Sequence, residues 1–412
     1  ATSRSAIEIA SRYDNVWATV GLHPHEAKHG VATIEPLIGA ERVVAIGECG
    51  LDYFRDYSPR DEQRRAFEWQ LQLATERGLP VFLHQRDAHA DFLAMLKAAG
   101  LRPGTALAHA FSHLDFDRAA RRYGKLGGFA HLATLVKRMK ASRPGALLLD
   151  GGDTWQGSGT SLWTNGQDMV DACKLLGVDV MTGHWEFTLG MERVKEIIEK
   201  DFANRVDFVA QNVKTNDFGD PVFKPYVIRE MNGVSCAIIG QAFPYTPIAN
   251  PRYMVADWEF GIQDENLQKM VDEVRAKGAQ VVVVLSHNGM DVDLKMASRV
   301  SGIDAIMGGH THDGMPVPTL VKNKGGQTLV TNAGSNGKFL GVLDFEVKNG
   351  QVSDFRYTLL PVFSNDLKAD PGMTALIAKI RAPHESKLQE RLGVTEGLLY
   401  RRGNFNGTGD QM

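Results

Sequence analysis

The chain has 412 residues, 43% hydrophobic and 23% charged, with a formal net charge of −3. That is an ordinary globular composition for about two or three domains, and the mildly acidic balance argues against a general nucleic-acid coat or a membrane-surface binder. No apolar run reaches the roughly 18 residues a membrane helix needs, and Cys49, Cys173 and Cys236 lie too far apart for a zinc or redox motif, so buried thiols are expected.

The chain starts at Ala1 without a Met or a signal peptide, which predicts an excised or processed product. Residues 1–112 predict βα units: strands at Val16–Leu22, Val43–Gly47, Leu79–Leu83 and Thr105–Ala108, with a helix from about Pro59 to Arg77. Each strand ends in a possible metal ligand or acid: His23 and His25, Glu48, His84, and His109. The stretches Gly21-Leu22-His23-Pro24-His25, Gly47-Glu48-Cys49-Gly50-Leu51-Asp52-Tyr53, Pro80 to Ala88 and His109-Ala110-Phe111-Ser112 resemble the TatD family of metal-dependent deoxyribonucleases. The resemblance implies a TIM-type barrel segment in which Glu48 bridges two metals and His84 and His109 are further ligands. The family's N-terminal His-x-His and its late Asp have no counterpart in this segment. His23-Pro24-His25 has the spacing but lies one strand too late. About half a barrel is present, and a barrel must close to bury its strand edges.

The register changes near residue 113. A basic patch, Arg118 to Lys125, is read as a solvated helix face in preference to a binding surface, followed by a helix to about Ser142. Beyond it the pattern predicts a different α/β protein. Helices are expected at 166–177, 190–201, 264–278 and 292–301, and strands at 206–212, 234–240, 281–285, 303–307, 328–332 and 340–347. A charged helix runs from Asp370 to about Leu392. Residues 393–412, polar and glycine-rich, look like the start of a linker to a missing C-terminal domain.

Four apolar strands in this part end in polar ligands. Leu147-Leu148-Leu149-Asp150-Gly151-Gly152 leads to Asp153, Val178 to Gly183 leads to His184, Val281 to Ser286 leads to His287, and Ile303 to Gly309 leads to His310-Thr311-His312. Open α/β sheets place ligands at such strand ends, and carboxylate with imidazole suits a divalent cation. Two-metal sites can generate a hydroxide nucleophile and clamp the oxygens of a transferring group. The set resembles the metallophosphoesterase and 5′-nucleotidase superfamily. The resemblance implies that Asp153 bridges two metals, that His184, His287 and His310 complete the second, and that His312 reaches the first. The family's Asp-x-His for the first metal is absent here. Asp87-Ala88-His89 has the spacing but belongs to a strand-end loop or helix start of the other fold. One tight site and one depleted site are therefore expected. The fold class expected is α/β: a metallophosphoesterase-type α-β-β-α sandwich over 113–392, preceded by a partial (β/α) barrel segment over 1–112.

Nucleotidases of this superfamily carry Asn-His-Glu where this chain has His184-Trp185-Glu186. Their His can assist an alcohol leaving group; an indole cannot transfer a proton in that way. A thiol, with a pKa near 8.5, leaves more readily without an acid. The stretch Gly183-His184-Trp185-Glu186-Phe187-Thr188, with Arg121 to Gly128 and Leu399 to Thr408, resembles the SoxB family of thiosulfohydrolases. That resemblance implies two divalent metal ions, manganese before zinc, a periplasmic location, and hydrolysis of a sulfonate from a cysteine S-thiosulfonate on a SoxYZ-like carrier, with Asp153, His184 and His312 as catalytic residues. Gly152, Trp155, Gln156 and Asn336 are weaker candidates for substrate contacts, with a structural role preferred for each, and Trp163 and Trp258 are expected to be packing residues. Rival readings are a 5′-nucleotidase-type phosphoesterase, a TatD-type deoxyribonuclease that would contact nucleic acid, and a catalytically impaired chimera.

Overall fold

The computed structural model describes residues 2–13, 16–99 and 121–396. His109, the strand at Thr105–Ala108, the boundary expected at 112/113, the first part of the basic patch and the stretch Leu399 to Thr408 lie outside the described residues. The chain divides into two compact units, at 104/105 and at 392/393.

The first unit opens with the helix Thr2–Arg12 and builds a parallel sheet of β1 (Ala18–Val20), β2 (Val43–Asp52) and β3 (Val81–Arg86) in that order. The helix Arg60–Arg77 packs Phe67, Leu71 and Ala74 onto the sheet and stops at Gly78. Glu48 was expected beyond a strand ending at Gly47. Instead β2 runs on to Asp52, because β3 pairs with it through Gly50↔His84 and Asp52↔Arg86. Gly50 permits this: a Cβ there would sit 1.8 Å from the His84 carbonyl oxygen. The helix His89–Ala98 begins at the Asp87-Ala88-His89 stretch, which therefore belongs to this unit.

The second unit is an α-β-β-α sandwich. One sheet is short and parallel: β4 (Leu149–Asp150), β5 (Val180–Met181) and β6 (Asp207–Phe208). Next come β7 (Val213–Thr215), β8 (Tyr226–Met231), β9 (Val234–Gln241), β10 (Trp258–Phe260), β11 (Val281–Ser286), β12 (Ala305–Gly308), β13 (Thr319–Asn323) and β14 (Gly326–Asn332). Of these, β9, β11, β12 and β14 are parallel, and β8 and β13 flank them antiparallel, giving the order β13-β14-β12-β11-β9-β8. A hairpin, β15 (Phe339–Lys348) and β16 (Gln351–Pro361), follows.

Strand β11 shows why this layering forms. Every residue in it is buried, as expected of a central parallel strand covered on both faces. Val282 and Val284 meet the helices Asp264–Ala276 and Met290–Arg299. Leu285 faces the other way, into an apolar layer with Val180, Val209, Val227 and Ile238 between the two sheets. On the far side of the short sheet, the helices Phe129–Ala141 and Gln167–Leu176 pack with Trp155, Met181 and Phe208. The C-terminal helix expected over 370–392 is two helices, Pro371–Arg381 and Glu385–Leu388, because Pro383 cannot continue the first. The strand expected at 206–212 is only two residues, Asp207–Phe208.

Candidate metal centres

In the second unit, Asp153, His184, His287 and His310 converge, with one ligand atom of each within 4.8 Å of the others. Each follows the C-terminal end of a parallel strand: Asp153 after β4, His184 after β5, His287 after β11 and His310 after β12. The two sheets of the sandwich therefore supply two ligands each. Asp153 Oδ1 lies 3.1 Å from His184 Nδ1, and Oδ2 lies 3.0 Å from His287 Nε2. The imidazole centroids of His184, His287 and His310 are 5.0–5.3 Å apart.

These residues fit a cation. His287 Nδ1 is 2.6 Å from the Gly151 carbonyl, which can only accept, so Nδ1 carries the proton of the neutral ring. In that neutral form the Nε2 lone pair faces the Asp153 carboxylate, and either a proton or a cation would relieve the contact. Nδ1 and Nε2 of His184 and Nε2 of His287 are buried without a hydrogen-bond partner. Buried polar atoms are seldom left so, and a divalent ion would satisfy them together.

The charges agree. Burial works against ionisation of Asp153, but His184 and His287 hold its carboxyl well below the usual range. Burial also opposes protonation of His287, yet its contact with Asp153 raises its pKa overall. His310 is lowered to about 4 by burial and by the neighbouring His287 and His184. The neutral imidazole that binds metal is thus favoured at His310, whereas at His287 a bound cation would take the place of the proton that Asp153 favours.

The backbone around the cluster is strained. Asp153, His310 and His312 all have positive φ, at 64°, 70° and 62°. Left-handed conformations in non-glycine residues cost on the order of 1 kcal/mol or more each and collect at functional sites. Glu186 supplies the compensation. Its fully buried carboxylate accepts the backbone N–H groups of Asp153 (3.1 Å), Thr154 (2.6 Å), Trp155 (3.2 Å) and His184 (2.8 Å). Charge-assisted bonds of this kind are worth about 1.5–3 kcal/mol each, so four outweigh the strain. Below them Asp150 accepts from the Gly152 N–H and the Thr154 hydroxyl, and burial pushes its pKa up to about 6. Gly152 itself, at φ +95°, would bring a Cβ within 3.0 Å of Gly183 and 3.2 Å of His287, so a side chain there would be both strained and crowded. The Phe243 ring packs 4.0 Å from that of His184 and 4.1 Å from that of His310. Glu186, Asp150 and Phe243 had no role in the sequence reading. Only the placing of Glu186 two residues after His184 hinted at one.

His312 is outside the converging four, although it is near enough to contribute to lowering the His310 pKa. Trp155 is fully buried against Phe202 and Phe208, in keeping with its structural reading. Trp258 is a packing residue as expected. Trp163 is not: it is 42% exposed and leans at a tilt on His384, with 4.4 Å between ring centroids.

In the first unit, His23, His25 and His84 converge by the same criterion. Glu48 Oε1 lies 3.0 Å from His84 Nδ1 and 3.9 Å from His23 Nε2. Asp52, 1% exposed, joins them: its Oδ2 lies 2.7 Å from His25 Nε2 and 3.2 Å from His84 Nε2. Burial of Asp52 is outweighed by the Arg55 N–H and the two imidazoles, which bring its pKa to about 2. Burial, with His84 and His25 beside it, lowers His23 to about 4. Thus Glu48 and His84 lie together as expected. The histidine pair placed one strand too late for the family pattern also reaches the site, and Asp52 is the residue missed.

The fold and the second cluster define a metallophosphoesterase-type region of the 5′-nucleotidase superfamily, following a TatD-type segment. Comparison with known proteins gives the particulars. Residues 1–147 match the family model described as TatD related DNase. The 3′-5′ ssDNA/RNA exonuclease TatD of Cronobacter sakazakii is 52% identical over 98 residues, which is 23% of this chain and 37% of that protein. The snake venom 5′-nucleotidase of Naja atra is 27% identical over 324 residues, covering 71% of this chain and 59% of that one. The sulfate thiohydrolase SoxB of Thermus thermophilus, solved with glycerol, superposes with a TM-score of 0.67 at 38% identity, over 75% of this chain and 56% of that one. The chain carries a TatD DNase domain and a SoxB-like metallophosphoesterase region, and spans between about a third and three fifths of the length of these relatives. Among the described residues no helix is long and apolar enough to cross a membrane.

Proposed function

We propose that the second unit is a metal-dependent hydrolase that removes the sulfonate from a cysteine S-thiosulfonate on a SoxYZ-like carrier protein and releases sulfate. Two manganese ions are the expected cofactors, with zinc as a substitute and one of the two sites depleted; the periplasm is the expected compartment. Asp153, His184, His287 and His310 would hold the tighter ion, and His312 would serve the weaker one. When bound, such ions supply Lewis acidity and a nucleophile at neutral pH.

The observation that carries the reading is Trp185. It follows His184, is 40% exposed, and donates its backbone N–H to Asp153 Oδ1 at 3.1 Å. Nucleotidases of the superfamily have a histidine at this position, as the resemblance implies. An indole gives a leaving group no proton, which suits a sulfur leaving group and handicaps an alkoxide. Glu186 fixes both the Asp153 and the His184 loops, so the ligand geometry does not have to be assembled as substrate arrives. The likeness to SoxB supports the same substrate class.

The test is sulfate release from a carrier-cysteine S-thiosulfonate by the manganese-loaded chain. Phosphate release from AMP is measured in parallel. Sulfate release that disappears in Asp153→Asn supports the proposal. Phosphate release from AMP without sulfate release would favour the nucleotidase reading, to which the likeness to the Naja atra 5′-nucleotidase points. Metal-dependent nicking of DNA that survives Asp153→Asn would assign the activity to the first unit.

A further inference from the structure

We propose that the second unit carries an anion site remote from its metal cluster, in a groove at the N-terminal end of the short sheet, and that the groove takes a compact inorganic polyanion of the pyrophosphate or tripolyphosphate class. The inference does not depend on the hydrolase reading, since it uses none of the cluster's residues. Two adjoining cavities of about 280 and 360 Å³ form the groove, and Asp179, Arg205 and Val206 line both. Asp179 immediately precedes β5 and Asp207 opens β6, whereas Asp153 and His184 follow the other ends of β4 and β5.

Lys140 and Lys174 line the first cavity, Lys224 and Arg229 the second, and Arg205 both. Among the described residues the lining therefore carries five cations against two carboxylates, Asp179 and Asp207. Asp171 and Asp201, which pair with Lys174 from beyond the lining, still leave the balance positive. The two carboxylates are already engaged. Asp207 holds Lys224 on Oδ1 at 2.9 Å and Arg229 on Oδ2. Asp179 Oδ2 accepts from Lys140 and from the Leu148 N–H, each at 2.7 Å. The donors are not used up. Arg205 is exposed and makes no side-chain hydrogen bond or ion pair among the described residues. Lys140 commits two of its three ammonium hydrogens, to the Gly177 carbonyl and Asp179, and Lys224 commits one.

Cations are common in the last turn of a helix, which accounts for Lys140 and Lys174. It does not account for Arg205, in the loop before β6, or for Lys224 and Arg229, which arrive from β8 of the other sheet. The lining also selects the ligand. Val178 and Val206 are its only apolar side chains among the described residues, and it has no aromatic ring. Nothing there would stack on a nucleobase or bury a hydrocarbon ligand. A guanidinium grips phosphate oxygens through paired N–H groups, and lysines add point charges. Because Arg205 stands between two lysine-bearing cavities, linked phosphates can engage it and the cations on either side together.

The test is calorimetric titration of the metal-free full chain with sodium tripolyphosphate, with orthophosphate in parallel. One tripolyphosphate per chain is expected, bound about 10-fold or more tightly than orthophosphate because it reaches both cavities. Affinity should fall roughly 10-fold between about 0.01 M and 0.1 M salt, as the screening length shrinks from about 30 to 10 Å. Arg205→Glu removes the cation shared by both cavities and breaks no side-chain contact, so the variant should fold, which circular dichroism checks. It should weaken tripolyphosphate binding about 10-fold or more, and Arg205→Lys should recover part of the loss. Absence of binding at about 0.01 M salt overturns the proposal. So does binding that Arg205→Glu leaves unchanged, which would place the anion elsewhere on the chain. Equal affinity for orthophosphate and tripolyphosphate overturns it too, since one ion would then need only one cavity.

Discussion

The two clusters use the same side chains in different enclosures. In the second unit the ligands come from two sheets that face each other, so His184 and His287 are only 2% and 1% exposed. In the first unit three neighbouring strands of one sheet supply everything, and Glu48 remains 40% exposed. The buried carboxylates also differ in duty. Asp153 faces its imidazoles as a candidate ligand, and a separate residue, Glu186, holds the loops. Asp52 spends both oxygens on orienting others. A sandwich can thus bury a metal ligand set and its supports together, whereas an open sheet must use its one buried acid as the support and take an exposed one as ligand.

The largest expected effect separates the two sites outright. Asp153→Asn removes the only acid of the second cluster and should lower its hydrolytic rate by several kcal/mol of transition-state stabilisation, about 10³-fold. The metal content of the first unit should not change. If one substitution silences both, the clusters are not independent and the comparison fails.

Next comes the support. Glu186→Ala would leave four backbone N–H groups without an acceptor in a fully buried place. Each orphan costs about 1–3 kcal/mol, so a loss of roughly 4 kcal/mol or more in the second unit's stability is expected from urea denaturation. Glu186→Gln, which keeps one acceptor oxygen, should lose about half as much. A loss under about 1 kcal/mol would show that water or loop movement replaces the carboxylate, and that the second site is no better supported than the first.

A third effect appears in pH dependence. Asp293 is fully buried; Oδ1 accepts from Ser286 and Asn288, and Oδ2 has no partner. Burial pushes its pKa up to about 7 from an ordinary 3.8, against the pull of those two hydrogen bonds. The folded state therefore holds this proton while the unfolded chain has released it. Stability from this group is full below about pH 4 and falls as pH rises toward 7, by roughly 2–4 kcal/mol. In Asp293→Asn that part of the slope should vanish. Chemical denaturation of both proteins at several pH values between 4 and 8 measures the difference, and parallel profiles would mean Asp293 is ionised in the fold.

Much of the second site was legible because its strands are buried on both faces. Val281–Leu285 is one apolar run, and the ligand at its end follows from topology. Five strands have no counterpart among those predicted: β7 and β10 are only three residues long, and β8, β13 and β16 are edge or hairpin strands whose charged residues dilute the apolar signal. Glu186 could not be assigned a role because its partners are backbone groups, which carry no signature in sequence. His23 and His25 were set aside as lying one strand too late. Adjacent parallel strands lie about 4.8 Å apart, and imidazoles at such a spacing can share one ion. Asp52 was hidden for another reason: β2 was expected to end at Gly47, and only its extension carries the acid back beneath His25 and His84.

The smallest expected effect concerns Phe243, which packs against two candidate ligands at once. Its ring is wedged against His184 and His310 and is 6% exposed, so it limits how those imidazoles can turn. In the first unit the rings touch one another, Tyr57 packs on His25 alone at 4.8 Å, and Asp52 orients His25 and His84. Phe243→Leu keeps most of the apolar volume but removes the flat face. Stability should fall by about 1 kcal/mol, while metal affinity of the second cluster should fall about 10-fold, the lower end for a residue that acts through a ligand. Phe243→Tyr should keep the affinity. Equal losses in stability and affinity for both variants would mean that Phe243 only fills space, and that hydrogen bonds orient the ligands of the second site as they do those of the first.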